Sequence, residues 1–255
     1  MRQRFLAPVL GIVVFIAAWE GFVRAFDVRP FILRAPSSAV NYLWKFRDDY
    51  LAASWVTVQH SMIGLLTALL IAVIIGAVLS SNRFIERATQ PILLLVQVVP
   101  WIAYVTSVVV WLGSGTAPAL FMVTLVCLPA FVFATVDGMR SVEPATLELL
   151  SSVDATRREV LFRVRLPSAA PMLFTTARFN LGLALAIAYY VEGANVANEG
   201  IGAIGRKAAA SFKGADRLWA AVFSVAIIGV SALLLLSLLE RTVLHWHAAQ
   251  RSERR

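Results

Sequence analysis

The chain has 255 residues, 59% of them hydrophobic and only 15% charged, with one cysteine, Cys127. A soluble domain carries about 25% charged residues, a disordered chain has low hydrophobicity, and a disulfide scaffold needs paired cysteines, so all three classes are excluded. The net charge of +8 comes with no basic soluble region. It therefore reads as loop charge on a membrane protein, and no nucleic-acid partner is expected.

A helix crosses the hydrocarbon core with about 20 mostly apolar residues. Residues 5–19 are uncharged and lack a small-residue cleavage site, so they open a span and not a cleaved signal peptide. Residues 50–82 hold no charge apart from His60, and residues 88–136 hold none. That second stretch is long enough for two spans, and Gly113, Gly115 and Pro118 break it near the middle. Residues 166–191 are apolar except for Arg178, and residues 218–239 are apolar throughout. The expectation is one all-α integral membrane domain over 1–255, with six spans at about 5–25, 58–81, 91–112, 117–137, 168–191 and 217–244. Barrel strands would alternate in polarity, and these runs do not. With cytoplasmic N- and C-termini, thirteen of the 23 Lys and Arg residues fall inside and nine outside.

Three connecting segments are longer than a turn. Around 37–50, Ser37 or Ser38 can cap a helix with Val40, Leu43, Trp44 and Phe46 on one side and Lys45 and Arg47 on the other. Such a helix suits either an external interfacial position or a lid packed on the bundle. Gly200, Gly202 and Gly205 match G-x-G-x-x-G. They follow a span and not a buried strand, so a Gly-rich turn between two helical pieces is expected and a dinucleotide site is not. Residues 138–167 read as two short amphipathic helices: Pro144 suits a first turn, Asp154 can cap the second helix, and Thr156 to Glu159 can form a capping box one step later. A plain connector needs no such hairpin, so a docking partner is expected there.

Among in-span polar groups, Gln97, Trp101 and Tyr104 share one face at i, i+4 and i+7, with Pro100 loosening the helix. That face either lines a translocation path or makes interhelical hydrogen bonds. Asn180, Tyr189 and Glu192 are further path candidates on the fifth span, with Glu192 near the outer end where a carboxylate can reach water. Arg178 can snorkel, pair with Glu148 or Glu159, or bind an anion. His60, His245 and His247 are scattered, and no metal-binding spacing exists. Ser114 and His245 raise an intramembrane serine protease, but their expected positions lie about 30 Å apart across the core. An ATP-independent secondary transporter would not need the hairpin.

The hairpin resembles the EAA loop of ABC-importer permeases, a pattern of E-A-A, three residues, G, nine residues and I-x-L-P. Glu148 stands at the E, Val164, Leu166 and Pro167 at the I-x-L-P, Leu149 and Leu150 at the alanines, and Asp154 at the glycine. Asp tolerates the left-handed conformation that a glycine supplies. Similar matches run over about 30–245: Arg34 to Val40 with L-P-S-P-x-x-V, Gln97 to Pro100 with R-x-I-P, and Trp111 to Gly113 with W-F-G. Gly138 to Pro144 matches G-L-R-x-V-D-P, and Ala177, Arg178, Gly182 and Glu192 match the fifth-span pattern. The chain is similar to the nitrate/sulfonate/taurine branch of type I importers. The resemblance implies a permease subunit in the bacterial inner membrane that forms the translocation path and is not itself an enzyme. It also implies a second copy of the chain, a cytoplasmic ATPase dimer carrying ATP and Mg, and an extracytoplasmic substrate-binding protein. The expected substrate is a small anion such as a sulfonate, taurine or nitrate, with a heterocyclic vitamin precursor as the alternative. Glu148, Leu149, Leu150, Asp154, Arg157, Arg158, Val164, Leu166 and Pro167 would form the ATPase-coupling surface, although positive-inside charge alone also accounts for Arg157 and Arg158. The chain has no G-x-x-x-x-G-K-[ST] loop to cradle a phosphate.

Overall fold

The structure, a computed structural model, describes residues 2–30, 32–195, 199–211 and 214–244. These are helical: α1 Arg2–Ala25, α2 Pro36–Lys45, α3 Arg47–Ser81, α4 Arg83–Val98, α5 Trp101–Leu112, α6 Ala117–Arg140, α7 Pro144–Ser152, α8 Arg157–Val160, α9 Leu166–Ala194, α10 Gly200–Ala209 and α11 Ala215–Val243. A π-helical stretch, Leu161–Arg165, joins α8 to α9. Among the described residues four helical segments are long and apolar enough to cross a membrane: α3, α6, the continuous run Arg157–Ala194, and α11. The bent pair α4 and α5 makes a fifth if taken as one span.

The core is the packing of α3 on α6 and of α6 on α9. Lipid supplies no hydrophobic drive between helices, so close backbone approach at small residues has to do the work. A Cβ on Gly64 would come within 2.7 Å of Val123, and one on Gly76 within 2.5 Å of Thr135. Around these seats Met122, Val123, Phe131 and Val132 of α6 are fully buried. Large apolar side chains on the far faces, such as Val13 and Phe15 of α1 and Leu234 and Leu235 of α11, stay exposed in the isolated chain, as suits contact with lipid.

Four local expectations are corrected. The expected span 91–112 is not one helix, because α4 and α5 meet at 93°. Pro100 has no N–H, and the residue before a proline avoids the α region; Val99 accordingly sits at ψ 123. The expected helix 37–50 ends at Lys45, and its last four residues form the first turn of the 35-residue α3. Ser37 does not cap it: Ala35 is the N-cap, and the Ser37 hydroxyl and N–H both donate to Glu20, at 2.7 and 3.0 Å. Tyr42 and Leu43 of α2 pack inward against Tyr50, Ile201, Ala220 and Ala221, while Trp44 points out. Finally, the glycine-rich segment is no turn but the helix α10.

Candidate functional site

Two regions carry the chemistry, one at each end of α9. At its C-terminal end, Glu192 is buried, with 2% exposure. Its Oε2 accepts from the Thr57 hydroxyl at 2.8 Å and from the Gly202 N–H at 3.0 Å. Its Oε1 lies 2.9 Å from His60 Nδ1. Thr57 Oγ1 in turn accepts from the Ile201 N–H at 2.9 Å. The carboxylate and Thr57 thus take one N-terminal donor of α10 each, at the end where a helix attracts negative charge. The glycines that match the dinucleotide pattern allow this seat. Gly200 sits at φ +81, and a Cβ there would lie 2.2 Å from the carboxylate. A Cβ on Gly202 would fall 1.7 Å from the Tyr189 carbonyl oxygen. Close approach to an anion at a helix N-terminus is the physics of a phosphate loop, used here on the chain's own carboxylate.

The same end is tied further. Asn195 Nδ2 donates to the Gly115 carbonyl at 2.6 Å, holding the α5–α6 turn against the end of α9. Tyr50 donates to the Arg217 carbonyl at 2.8 Å. Arg34 makes a two-pronged ion pair with Asp216. Between His60, Gly115, Glu192 and Asn195 remains a void of about 10 Å³, no larger than a water. The expectation that Glu192 reaches water is corrected: it lies inside the contact of α3, α9 and α10. His60 and Thr57, its partners from 132 and 135 residues away, carry no local spacing signal in the sequence.

The other path candidates do not share one face. Gln97 ends α4 and is exposed, whereas Trp101 and Tyr104 start α5 beyond the bend and are half-buried. The i, i+4, i+7 argument therefore does not apply across Pro100. Trp101 meets Tyr190 edge-on at 5.5 Å. Tyr189 is half-buried beneath α10. Asn180 is fully buried between α6 and α9, where its Nδ2 donates to the Cys127 carbonyl at 3.1 Å. Arg178 pairs with Glu240 of α11, not with Glu148 or Glu159. Among the described residues no cluster of His, Cys, Asp and Glu could hold a metal. His245, needed for the protease reading, and His247 lie outside the described residues.

At the other end, the hairpin is built by local signals. Pro144 begins α7. Thr156 caps α8 with the full capping box: its oxygen accepts from the Glu159 N–H at 3.3 Å, and Glu159 accepts from the Thr156 N–H at 3.0 Å. These bonds hold the Glu159 carboxyl below its usual pKa. Asp154 does not cap the second helix. It sits at φ +54 in the turn, the left-handed position that the pattern gives to glycine. The second helix is not a separate piece either, since α8 runs through the π stretch into α9. The Leu166 N–H bonds to the Leu161 carbonyl, and Pro167, with no N–H, keeps the regular ladder from resuming there. Val164, Leu166 and Pro167 are half-buried at this root. By contrast α7 buries none of its residues. Glu148, Arg157 and Arg158 are exposed and Leu150 is half-buried. Leu149 and Val153 present large apolar side chains that are 66% and 67% exposed.

Over residues 64–245 the chain matches the family described as "Binding-protein-dependent transport system inner membrane component". It is 26% identical to the formylaminopyrimidine transport permease protein ThiX of Halalkalibacterium halodurans, covering 96% of this chain and 97% of that protein. It is 28% identical to the taurine transport system permease protein TauC of Escherichia coli, covering 80% of this chain and 71% of that one. Among solved structures it superposes on a chain of the inward-facing MetNI methionine ABC transporter with a TM-score of 0.67, at 18% identity, covering 78% of this chain and 98% of that one. The all-helical arrangement is the type I ABC importer permease fold. The chain belongs to the binding-protein-dependent transport system inner membrane components, the permease subunits of ABC importers.

Proposed function

We propose that the hairpin 144–165 is the lever through which a cytoplasmic ATPase drives this permease. The supporting observation is the α7 hairpin, where Leu149 and Val153 are 66% and 67% exposed among the described residues and Glu148, Arg157 and Arg158 are exposed as well. On this reading the hairpin end is cytoplasmic and the α10 end faces the binding protein. Five spans are the four long helical segments and the bent α4–α5 pair, and α1 is the sixth. Two copies of the chain enclose the path, and ATP and Mg stay on the ATPase. The buried Glu192 network supports reading the α10 end as a tied outer end of each copy.

For the substrate we propose a small heterocyclic compound of the vitamin-precursor kind. The ThiX relative supports it, as does the Trp101–Tyr190 aromatic pair just past the Pro100 bend. The TauC relative supports a small organic anion as the second reading. Arg178, the basic residue within the fifth span, is already paired with Glu240 and so is not available as an anion ligand. The test is reconstitution with the ATPase and the binding protein. Glu148→Ala is expected to abolish substrate-stimulated ATP hydrolysis and uptake while the complex remains folded. Normal stimulation in that variant would overturn the lever. Thermal-shift screening of the binding protein against pyrimidines and sulfonates decides the substrate class: stabilisation by sulfonates alone would overturn the heterocycle.

A further inference from the structure

At the hairpin end, a cleft of about 390 Å³ opens between the end of α3, the start of α4, the end of α6 and the π stretch. Ser80, Ser81, Arg83, Arg140 and Arg165 line it, with Leu147 of α7 at its hairpin side. Three guanidinium groups thus converge from three different elements. Arg140 is the compensated one, donating to Glu86 at 2.8 Å. Arg83 and Arg165 have no ion pair or hydrogen-bond partner among the described residues. Arg165 Nε is moreover buried without an acceptor. A buried donor left unmade is costly, so no acceptor within the described residues fixes the Arg165 guanidinium. Both serine hydroxyls donate back to the Ala77 carbonyl, so the guanidinium groups alone set the site's preference. The lever reading above rests on the exposed residues of the hairpin, whereas Leu147 and Arg165 line this cleft at its root.

We infer that the cleft binds the phosphate group of an anionic phospholipid headgroup. Guanidinium forks match phosphate oxygens in geometry and charge. Basic pockets between spans on the cytoplasmic side are where such headgroups bind. The exposed apolar flank of α4, with Phe84 and Ile85 directly after Arg83, offers acyl chains a place to lie. The cleft adjoins Leu147 of α7, so a headgroup there would brace the root of the hairpin. The lipid as the source of the phosphate rests on the cytoplasmic orientation proposed above; the charge of the cleft does not.

The test uses the permease–ATPase complex in neutral detergent, with thermal unfolding as the readout and water-soluble dihexanoyl lipids as probes. Dihexanoyl phosphatidylglycerol is expected to raise the unfolding midpoint and dihexanoyl phosphatidylcholine is not. The Arg83→Gln, Arg165→Gln double variant should weaken the phosphatidylglycerol response on the order of tenfold in concentration. Glu86→Gln frees Arg140 and should strengthen it, a gain that misfolding cannot mimic. Equal responses in wild type, double variant and Glu86→Gln would overturn the site. Equal stabilisation by phosphatidylcholine would overturn it as well. An equal effect of inorganic phosphate would overturn the lipid assignment in favour of a free anion. Because binding is read in detergent, failure here leaves the lever untouched, and normal ATPase stimulation in Glu148→Ala leaves the cleft untouched.

Discussion

At the α10 end of the bundle, polar groups close on one another; at the hairpin end, they are left open. Glu192 accepts from Thr57 and Gly202 with His60 alongside, and all of it is buried. Helix α7 starts at Pro144 and is followed by the capping box of α8, yet none of its residues is fully buried. A carboxylate in a low-dielectric setting is tolerable only when its hydrogen bonds are completed, so the α10 end completes them within the chain. The hairpin spends local sequence on holding a shape whose apolar side chains have no internal partner. The first arrangement is that of a part holding itself shut, and the second that of a part awaiting another subunit.

This contrast can be broken from either side. The largest expected effect is at Glu192. Glu192→Ala strands Thr57, His60 and the Gly202 N–H, and should cost about 3–5 kcal/mol in thermal or denaturant unfolding. A loss under about 1 kcal/mol, the worth of a single ordinary hydrogen bond, would mean that the network does not carry this end. Next is Gly202→Ala, where the new Cβ meets a backbone carbonyl and not a mobile side-chain tip. Overpacking of that kind costs about 1–3 kcal/mol, and hydrogen exchange should locate the loss in α10. Glu148→Ala should stay within about 0.5 kcal/mol of wild-type stability despite its loss of coupling; a large stability loss would make the hairpin an internal structural part. At Asp154 the sign of the effect is what decides. Because its φ is positive, Asp154→Gly should stabilise the turn by up to about 1 kcal/mol and Asp154→Ala should destabilise it. The reverse order would mean that the Asp side chain, not the backbone, sets the turn.

What the sequence revealed follows the range of the interactions. The capping box of Thr156 and Glu159, the Pro144 start and the Gly113 break rest on neighbours a few positions apart, and each stands where composition and spacing put it. The hairpin pattern therefore pointed to its class directly. The 93° bend was underestimated because Pro100 alone does not reveal whether a helix kinks or stops. The glycine pattern suggests a turn in the sequence because the object it approaches, Tyr189 and Glu192, belongs to another helix. Glu192 closes an apolar run, which by itself suggests contact with water, and only the fold brings His60 and Thr57 to it. Arg178 found Glu240, 62 residues on, for the same reason.

The most direct measurement of the lever is site-specific cross-linking in the assembled transporter. Buried Cys127 is replaced by alanine, and single cysteines are placed at Leu149 on the hairpin and at Trp111, exposed near the opposite end. Leu149→Cys should cross-link to the ATPase subunit, and Trp111→Cys should not. A cross-link to the ATPase from Trp111→Cys with none from Leu149→Cys would contradict both the lever and the orientation built on it.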